Sequence, residues 1–317
     1  MADQGDLIDT VDERVKARNE RRDFFKAALG AATVGAVALT LPRIAQAQAV
    51  TDADVLNLAL NLEYLTAQFY AFATTGAVID STLITGTGTA GAATGGRKVT
   101  FTDPIVSALA QEIAKDELAH VKFLRAATGS TVVAQPAIDL GTTASGAFSK
   151  LAQSAGIVGA GASFDPYASD ENFLLAAFML EDVSVTAYRG AASLIINATF
   201  AEATAGLLAT EAYHAAMIRS TLYAKGVATP ALRTQADGIS NARDALDGAT
   251  DIDQGISPVT INGGQASNVM PTDANGLVFG RTTGQLLNIA YLASTAATTG
   301  GFFPAGVNGT IKTAAAN

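Results

Sequence analysis

From residue 51 onward the apolar positions of the chain fall at helical spacing. Val55, Leu58, Leu62, Leu65, Phe69 and Phe72 recur every three or four residues, which places them on one face of an α-helix rather than alternating across a strand. Thr51 or Asp52 can cap the start of this helix and Gly76 can stop it. A second stripe, Ile105, Leu109, Ile113, Leu118, Val121 and Leu124, follows Asp103-Pro104 and runs to Gly129; proline is accommodated at a first helical position, where its missing N–H is no loss. Phe173, Leu174, Ala177, Leu180 and Val185 mark a third helix from a Ser169 cap to about residue 195. Leu207, Leu208, Met217, Ile218 and Leu222 mark a fourth, opened by Asn197 or Thr199 and closed by Gly226. Each helix is about 20 to 27 residues long, or about 30 to 40 Å.

The segments between these helices decide how they connect. Residues 77–100 are rich in Gly and Thr and predict a loop with room for a short hairpin. Residues 130–168 form a connection of about forty residues with a short helix expected at 143–155. About a dozen extended residues would span the length of a bundle. The pattern therefore predicts an all-α fold: a four-helix bundle over 50–226, made of two antiparallel hairpins joined by one long crossover. Beyond it, 227–317 is a loop-rich C-terminal extension with helical stretches expected at 230–246 and 283–294. Its scattered Phe, Leu and Ile predict packing against the bundle, since they would otherwise be exposed.

The first 49 residues read differently. Arg21-Arg22-Asp23-Phe24-Phe25-Lys26 runs into an uncharged Ala/Gly/Leu stretch over 27–41, followed by Ala45, Ala47 and Ala49. The stretch is shorter than the roughly 20 residues of a membrane span and has the build of a signal peptide with an A-x-A cleavage site. The paired arginines resemble a twin-arginine export signal. The expectation is cleavage near Ala49, no stable membrane insertion afterwards, and a periplasmic or extracellular location; the alternative is an uncleaved anchor helix. The net charge is -9, and the signal segment contributes equal numbers of both signs. An acidic mature chain argues against nucleic acid as a partner. The chain has no cysteine, which excludes disulfides, thiolate metal sites and cysteine nucleophiles.

Both histidines of the protein sit three residues after a glutamate, as Glu117-Leu118-Ala119-His120 and Glu211-Ala212-Tyr213-His214. Residues i and i+3 share a helix face. With nine glutamates in 317 residues, chance would place both histidines so only about once in a thousand. The first and third helices each carry a glutamate among apolar neighbours: Glu63 lies between Ala59 and Ala67 at i±4, and Glu181 between Ala177 and Val185. All four glutamates fall near mid-helix, so antiparallel hairpins bring them together. Four ionised carboxylates in an apolar core would cost several kcal/mol each if unpaired, and two divalent cations would balance them. Oxygen and imidazole ligands suit iron, manganese or zinc, and the absence of thiolate gives no reason to favour zinc. One Glu on each of two helices with Glu-x-x-His on each of the other two is the arrangement of di-iron and di-manganese bundles.

The segments Leu58-Ala59-Leu60-Asn61-Leu62-Glu63-Tyr64-Leu65 and Asp116-Glu117-Leu118-Ala119-His120-Val121 resemble the ferritin-like superfamily. Within it, the chain is similar to exported ferritin-like-domain proteins, which include plant desiccation-related proteins. Asn268-Val269-Met270-Pro271-Thr272-Asp273 and the segment 300–304 carry the narrower likeness. The resemblance implies a ferritin-like four-helix bundle in which Glu117 and Glu211 bridge two metal ions, Glu63 and His120 completing one position and Glu181 and His214 the other. The long tail argues against assembly into a storage cage, while a smaller homo-oligomer is left open.

Tyr70 and Tyr188 each lie seven residues after a core glutamate, two turns along the same face. They are candidates for supporting or redox-active groups, with ordinary core tyrosines as the plainer reading. Asp116 and Asp182 adjoin ligands in sequence and are read as surface or structural groups, with orientation of an imidazole across the bundle as the alternative. Glu112 and Glu202 are read as solvated. The functional expectation is redox chemistry with oxygen or peroxide as substrate; the competing expectation is a non-catalytic stress protein whose ions staple the bundle.

Overall fold

A computed structural model describes residues 50–317; the expected signal segment lies outside the described residues. Four long helices form the bundle: α1 (Asp52–Thr75), α2 (Pro104–Thr128), α4 (Asp170–Ala191) and α5 (Ala198–Ala228). Their starts are capped as the sequence indicates. Thr51 accepts from Asp54 N in a capping box, Asp103 from Ile105 N, Ser169 from Asn172 N, and Asn197 from Thr199 N and Phe200 N, each satisfying backbone donors that have no intrahelical partner. Gly76 closes α1 at φ 81°, the left-handed region open to glycine.

The helices pair as α1 with α2 and α4 with α5. Asn57 near the start of α1 bonds the Thr131 carbonyl just past α2, and Glu171 at the start of α4 meets Lys225 near the end of α5, so both hairpins are antiparallel. The hairpins join along α1/α4 and α2/α5. A seam of aromatic rings closes one end of α1/α4, where Phe69 stacks on Phe173 with centroids 5.5 Å apart.

The third helix of the bundle stops at Ala191, earlier than the expected 195. The reason is local: Asp52 accepts hydrogen bonds from Ile196 N and Asn197 N, and Asn197 is already committed to capping α5. Those bonds fix 192–197 as a turn. The expected hairpin within 77–100 does not form. Strand β1 (Ala93–Thr94) pairs instead in parallel with β2 (Ile138–Asp139) of the crossover, so the two long loops fasten to each other. Gly86 and Gly91 permit the approach: a Cβ at either would lie 2.4 Å from Val133 C or 2.2 Å from Ala137 N. The crossover also carries α3 (Ala147–Ser154).

In the extension, α6 (Ala231–Asp247) and α7 (Thr283–Tyr291) pack against α4, and β3 (Val259–Ile261) pairs antiparallel with β4 (Gly264–Ala266). Extension and bundle share a buried ion network. Arg219 Nη1 and Arg243 Nη2 reach Asp182 at 2.7 and 3.0 Å, Arg243 and Arg281 meet Asp253 at 2.5 and 2.9 Å, and Arg281 bonds Asp247 at 2.6 Å. Three guanidinium groups thus face three carboxylates, all buried. Burial at this scale is tolerable because every charge has an opposite partner, and Arg219 adds bonds to the carbonyls of Gln254, Gly255, Asn268 and Val269, while Asp247 Oδ1 is left without a hydrogen bond. No described helix is long and apolar enough to cross a membrane.

Asp244 stands at the edge of this network with its buried Oδ1 lacking a hydrogen bond. Burial, then the charges of Asp253, Asp247 and Asp251, push its carboxyl from 3.8 up to about 7. Between those values the folded chain keeps a proton that the unfolded chain has lost, so folding stability falls as pH rises through the window. Asp244→Asn is therefore expected to raise Tm at pH 8 and to leave it unchanged at pH 4. Calorimetry showing the same shift at both pH values would reject this origin.

Candidate metal centre

The four long helices lie side by side at their midpoints, and each carries a glutamate there. Glu63, Glu117, Glu181 and Glu211 are buried there with His120 and His214. The structure thus brings together all six residues singled out in the sequence. They form two groups whose ligand atoms lie within 4.8 Å of one another: Glu63, Glu117, His120 and Glu211 in one, and Glu117, Glu181, Glu211 and His214 in the other. Glu117 and Glu211 belong to both.

Both imidazoles point Nδ1 inward. His120 Nδ1 lies 2.9 Å from Glu211 and 3.3 Å from Glu63. His214 Nδ1 lies 3.1 Å from Glu117, 3.6 Å from Glu181 and 3.9 Å from Glu211. The rings are 6.0 Å apart, centroid to centroid. Despite these distances, both Nδ1 atoms, both oxygens of Glu181 and of Glu211, and one oxygen each of Glu63 and Glu117 are buried without a hydrogen bond. Buried polar atoms are rarely left so. Lone pairs converging without donors are the arrangement a cation satisfies, so the residues present fit metal ions.

Electrostatics give the same result. Burial, then the charge of Glu63, pushes the Glu117 carboxyl up; burial also raises Glu181 and, with Glu117 and Glu63, raises Glu211 well above its ordinary range. Burial alone would lower the imidazoles, but the carboxylates around them prevail, holding a proton on His120 up to about 11 and on His214 up to about 12. Without cations, the cluster therefore favours protonated over charged carboxyls and keeps its imidazoles protonated. Metal ions would displace those protons, since bound imidazole and carboxylate must be deprotonated.

The ligands are braced from outside. Thr66 donates to Glu117 Oε2, and Tyr188 donates across the hairpins to Glu63 Oε1. Tyr70 lies within electrostatic reach of Glu181, though its hydroxyl makes no hydrogen bond of ordinary geometry. Burial, followed by the neighbouring glutamates, raises both phenols well above 10, so each stays neutral. Asp116 sits at 29 % side-chain exposure, 3.7 Å from His214 Nε2. With the edges of the two imidazoles it forms the margin where the cluster approaches solvent, between α2 and α5. Glu112 and Glu202 are exposed. Asp182 is not at the surface: it lies buried in the arginine network, its side chain turned to Arg219 and Arg243 instead of to an imidazole.

The two hairpins repeat one frame, of which the sequence reading missed the arginine. Glu117-x-x-His120 is followed five residues on by Arg125, and Glu211-x-x-His214 at the same spacing by Arg219; Glu63 and Tyr70 match Glu181 and Tyr188. The three-residue step from Glu63 to Thr66, repeated at Glu181 and Ser184, was the available signal for Thr66. A cavity of about 330 Å³ lies beside the cluster rather than over it, between the α4/α5 hairpin and the extension, with Val185, Ala212, Ala216 and Met270 on its apolar walls.

The model of a family described as a ferritin-like domain matches residues 51–224. The chain is 30% identical over 267 residues to the desiccation-related protein PCC13-62 of Craterostigma plantagineum, covering 80% of this chain and 82% of that one. It is 26% identical over 268 residues to the ferritin-like catalase Nec2 of Nesocodon mauritianus, covering 82% and 84%. No solved structure shows a significant match.

Proposed function

This chain belongs to the ferritin-like domain family, and from that premise we propose that it is an exported di-metal carboxylate protein that removes peroxide. The observation that carries the reading is that Glu117 and Glu211 each offer an atom to both ligand groups. Glu63, Glu117, His120 and Glu211 would hold one ion, and Glu117, Glu181, Glu211 and His214 the other. A donor set of carboxylate and imidazole, with no thiolate in the chain, fits iron or manganese.

Two redox-active ions held by these residues would supply a pair of electrons that can be given up and recovered, the number separating peroxide from water and from dioxygen. In the overall reaction one peroxide gives two electrons and leaves as dioxygen, while another takes them with two protons and leaves as two waters. The chain's own contribution is positional. Four buried carboxylates balance the charge of two dications, Tyr188 and Thr66 fix the carboxylates they touch, and the packed core keeps bulk water away. The relative named as a catalase favours peroxide over ferroxidase-like oxidation of Fe(II), the neighbouring chemistry at such a centre.

A second reading, in which the ions only staple the bundle of a stress protein, draws on the desiccation-related relative. The test is metal analysis and oxygen release from peroxide by protein isolated from its own compartment. Two iron or manganese ions per chain with sustained oxygen release are expected. A metal-loaded protein that melts far above its apo form but releases no oxygen would establish the staple instead. The amino terminus of that same material tests export, with Val50 as the expected first residue.

A further inference from the structure

The repeated frame of the two hairpins breaks beside one imidazole. The residue before the shared glutamate is Asp116 in α2 and Thr210 in α5. Asp116 Oδ2 lies 3.7 Å from Nε2 of His214, the nitrogen turned away from the cluster, and that nitrogen is buried without a hydrogen bond. Thr210, the counterpart, is uncharged, and its hydroxyl donates to the Gly206 carbonyl of its own helix. Among the described residues no carboxylate forms an ion pair with the outer nitrogen of His120; its carboxylate neighbours Glu63 and Glu211 face Nδ1.

We propose that this difference makes the two ion positions unequal, the one built on Glu181 and His214 binding more tightly and filling first, and the one built on Glu63 and His120 remaining exchangeable. The inference rests on the two-ion reading above. A carboxylate at Nε2 keeps the proton on that nitrogen, leaves the Nδ1 lone pair facing the cluster, and makes the ring a stronger donor. Asp116 is partly exposed and its other oxygen lies 3.2 Å from the exposed Lys115 ammonium, so closing the 3.7 Å gap would call on surface side chains and not on the packed core. Outer partners of this kind are worth about 10- to 100-fold in metal affinity. Asp116 is a positioning residue here; it contributes no atom to either ligand group.

The experiment is a titration of the apo protein with Mn(II), following the electron paramagnetic resonance of the free aqueous ion. Two ions per chain are expected in two steps, and Asp116→Asn should weaken the tighter step by about 10- to 100-fold while leaving the weaker one in place. The selective loss decides the matter, because repulsion between two dications separates the steps in any case. Thr210→Asp provides the complementary gain: it should tighten the weaker step, and it stays informative if Asp116→Asn folds poorly. Two steps that neither variant alters, or an equal weakening of both by Asp116→Asn, would overturn the inference and leave the two-ion reading standing. Wild-type protein that binds fewer than two ions would overturn both.

Discussion

Glu117→Ala is expected to empty both ion positions and to reduce oxygen release from peroxide by well over about 100-fold, because a shared ligand is lost twice and even outer partners of ligands cost about 10- to 100-fold. One oxygen of Glu117 faces His214 and the other accepts from Thr66, so no neighbour is placed to substitute for it. The fold should survive. Burial and the charge of Glu63 push the carboxyl of Glu117 up, so the apo core disfavours its charged form and deleting it removes a destabilised buried group. Apo Glu117→Ala should therefore melt at or above apo wild type, while added metal no longer raises its Tm. Glu63→Ala touches only one ligand group and should retain one ion. Metal analysis of the two variants side by side checks the contrast; two ions retained by Glu117→Ala would refute the bridging role.

Arg243→Met should produce the largest loss of stability away from the cluster. The Arg243 guanidinium is buried against Asp182, Asp253 and the Phe178 carbonyl. Removing it strands two buried carboxylates, each left with one remaining arginine. Breaking a buried pair from one side costs about 3–5 kcal/mol, which for a domain of this size lowers Tm by about 10 °C. The double variant with Asp253→Asn should recover part of that loss, since it removes one stranded charge. Urea unfolding of the single and double variants measures both effects, and a single-variant loss below about 1 kcal/mol would show the network to be worth little.

Much of this was readable in the chain because helical stripes and their caps are local signals. Thr51, Asp103, Ser169 and Asn197 each announce a helix within three residues of themselves, and Glu-x-x-His needs no more than one turn to be recognised. What the sequence could not reveal depended on distant partners. The pairing of β1 with β2 joins residues some 45 positions apart, and nothing near Ala93 specifies Ile138. Asp182 was readable only as a surface or structural group, because the partners that make it structural, Arg219 and Arg243, lie on other helices. The early end of α4 likewise follows from Asp52, more than a hundred residues upstream. Stripes of small and apolar residues alone would have extended the helix through the turn.

Because each ligand group draws on both hairpins, neither hairpin alone can complete an ion position. The first hairpin supplies Glu63, Glu117 and His120 but must wait for Glu211; the second supplies Glu181, Glu211 and His214 but needs Glu117. Any ions the centre holds would therefore be late arrivals in the life of the chain. Synthesis must pass the crossover and finish α5 before a complete site exists anywhere, and any cation met earlier has only part of a ligand set to hold it. A cut in the crossover would turn an intramolecular encounter between the hairpins into a bimolecular one, and metal retention in such a nicked protein would depend on how firmly the paired loops keep the halves together.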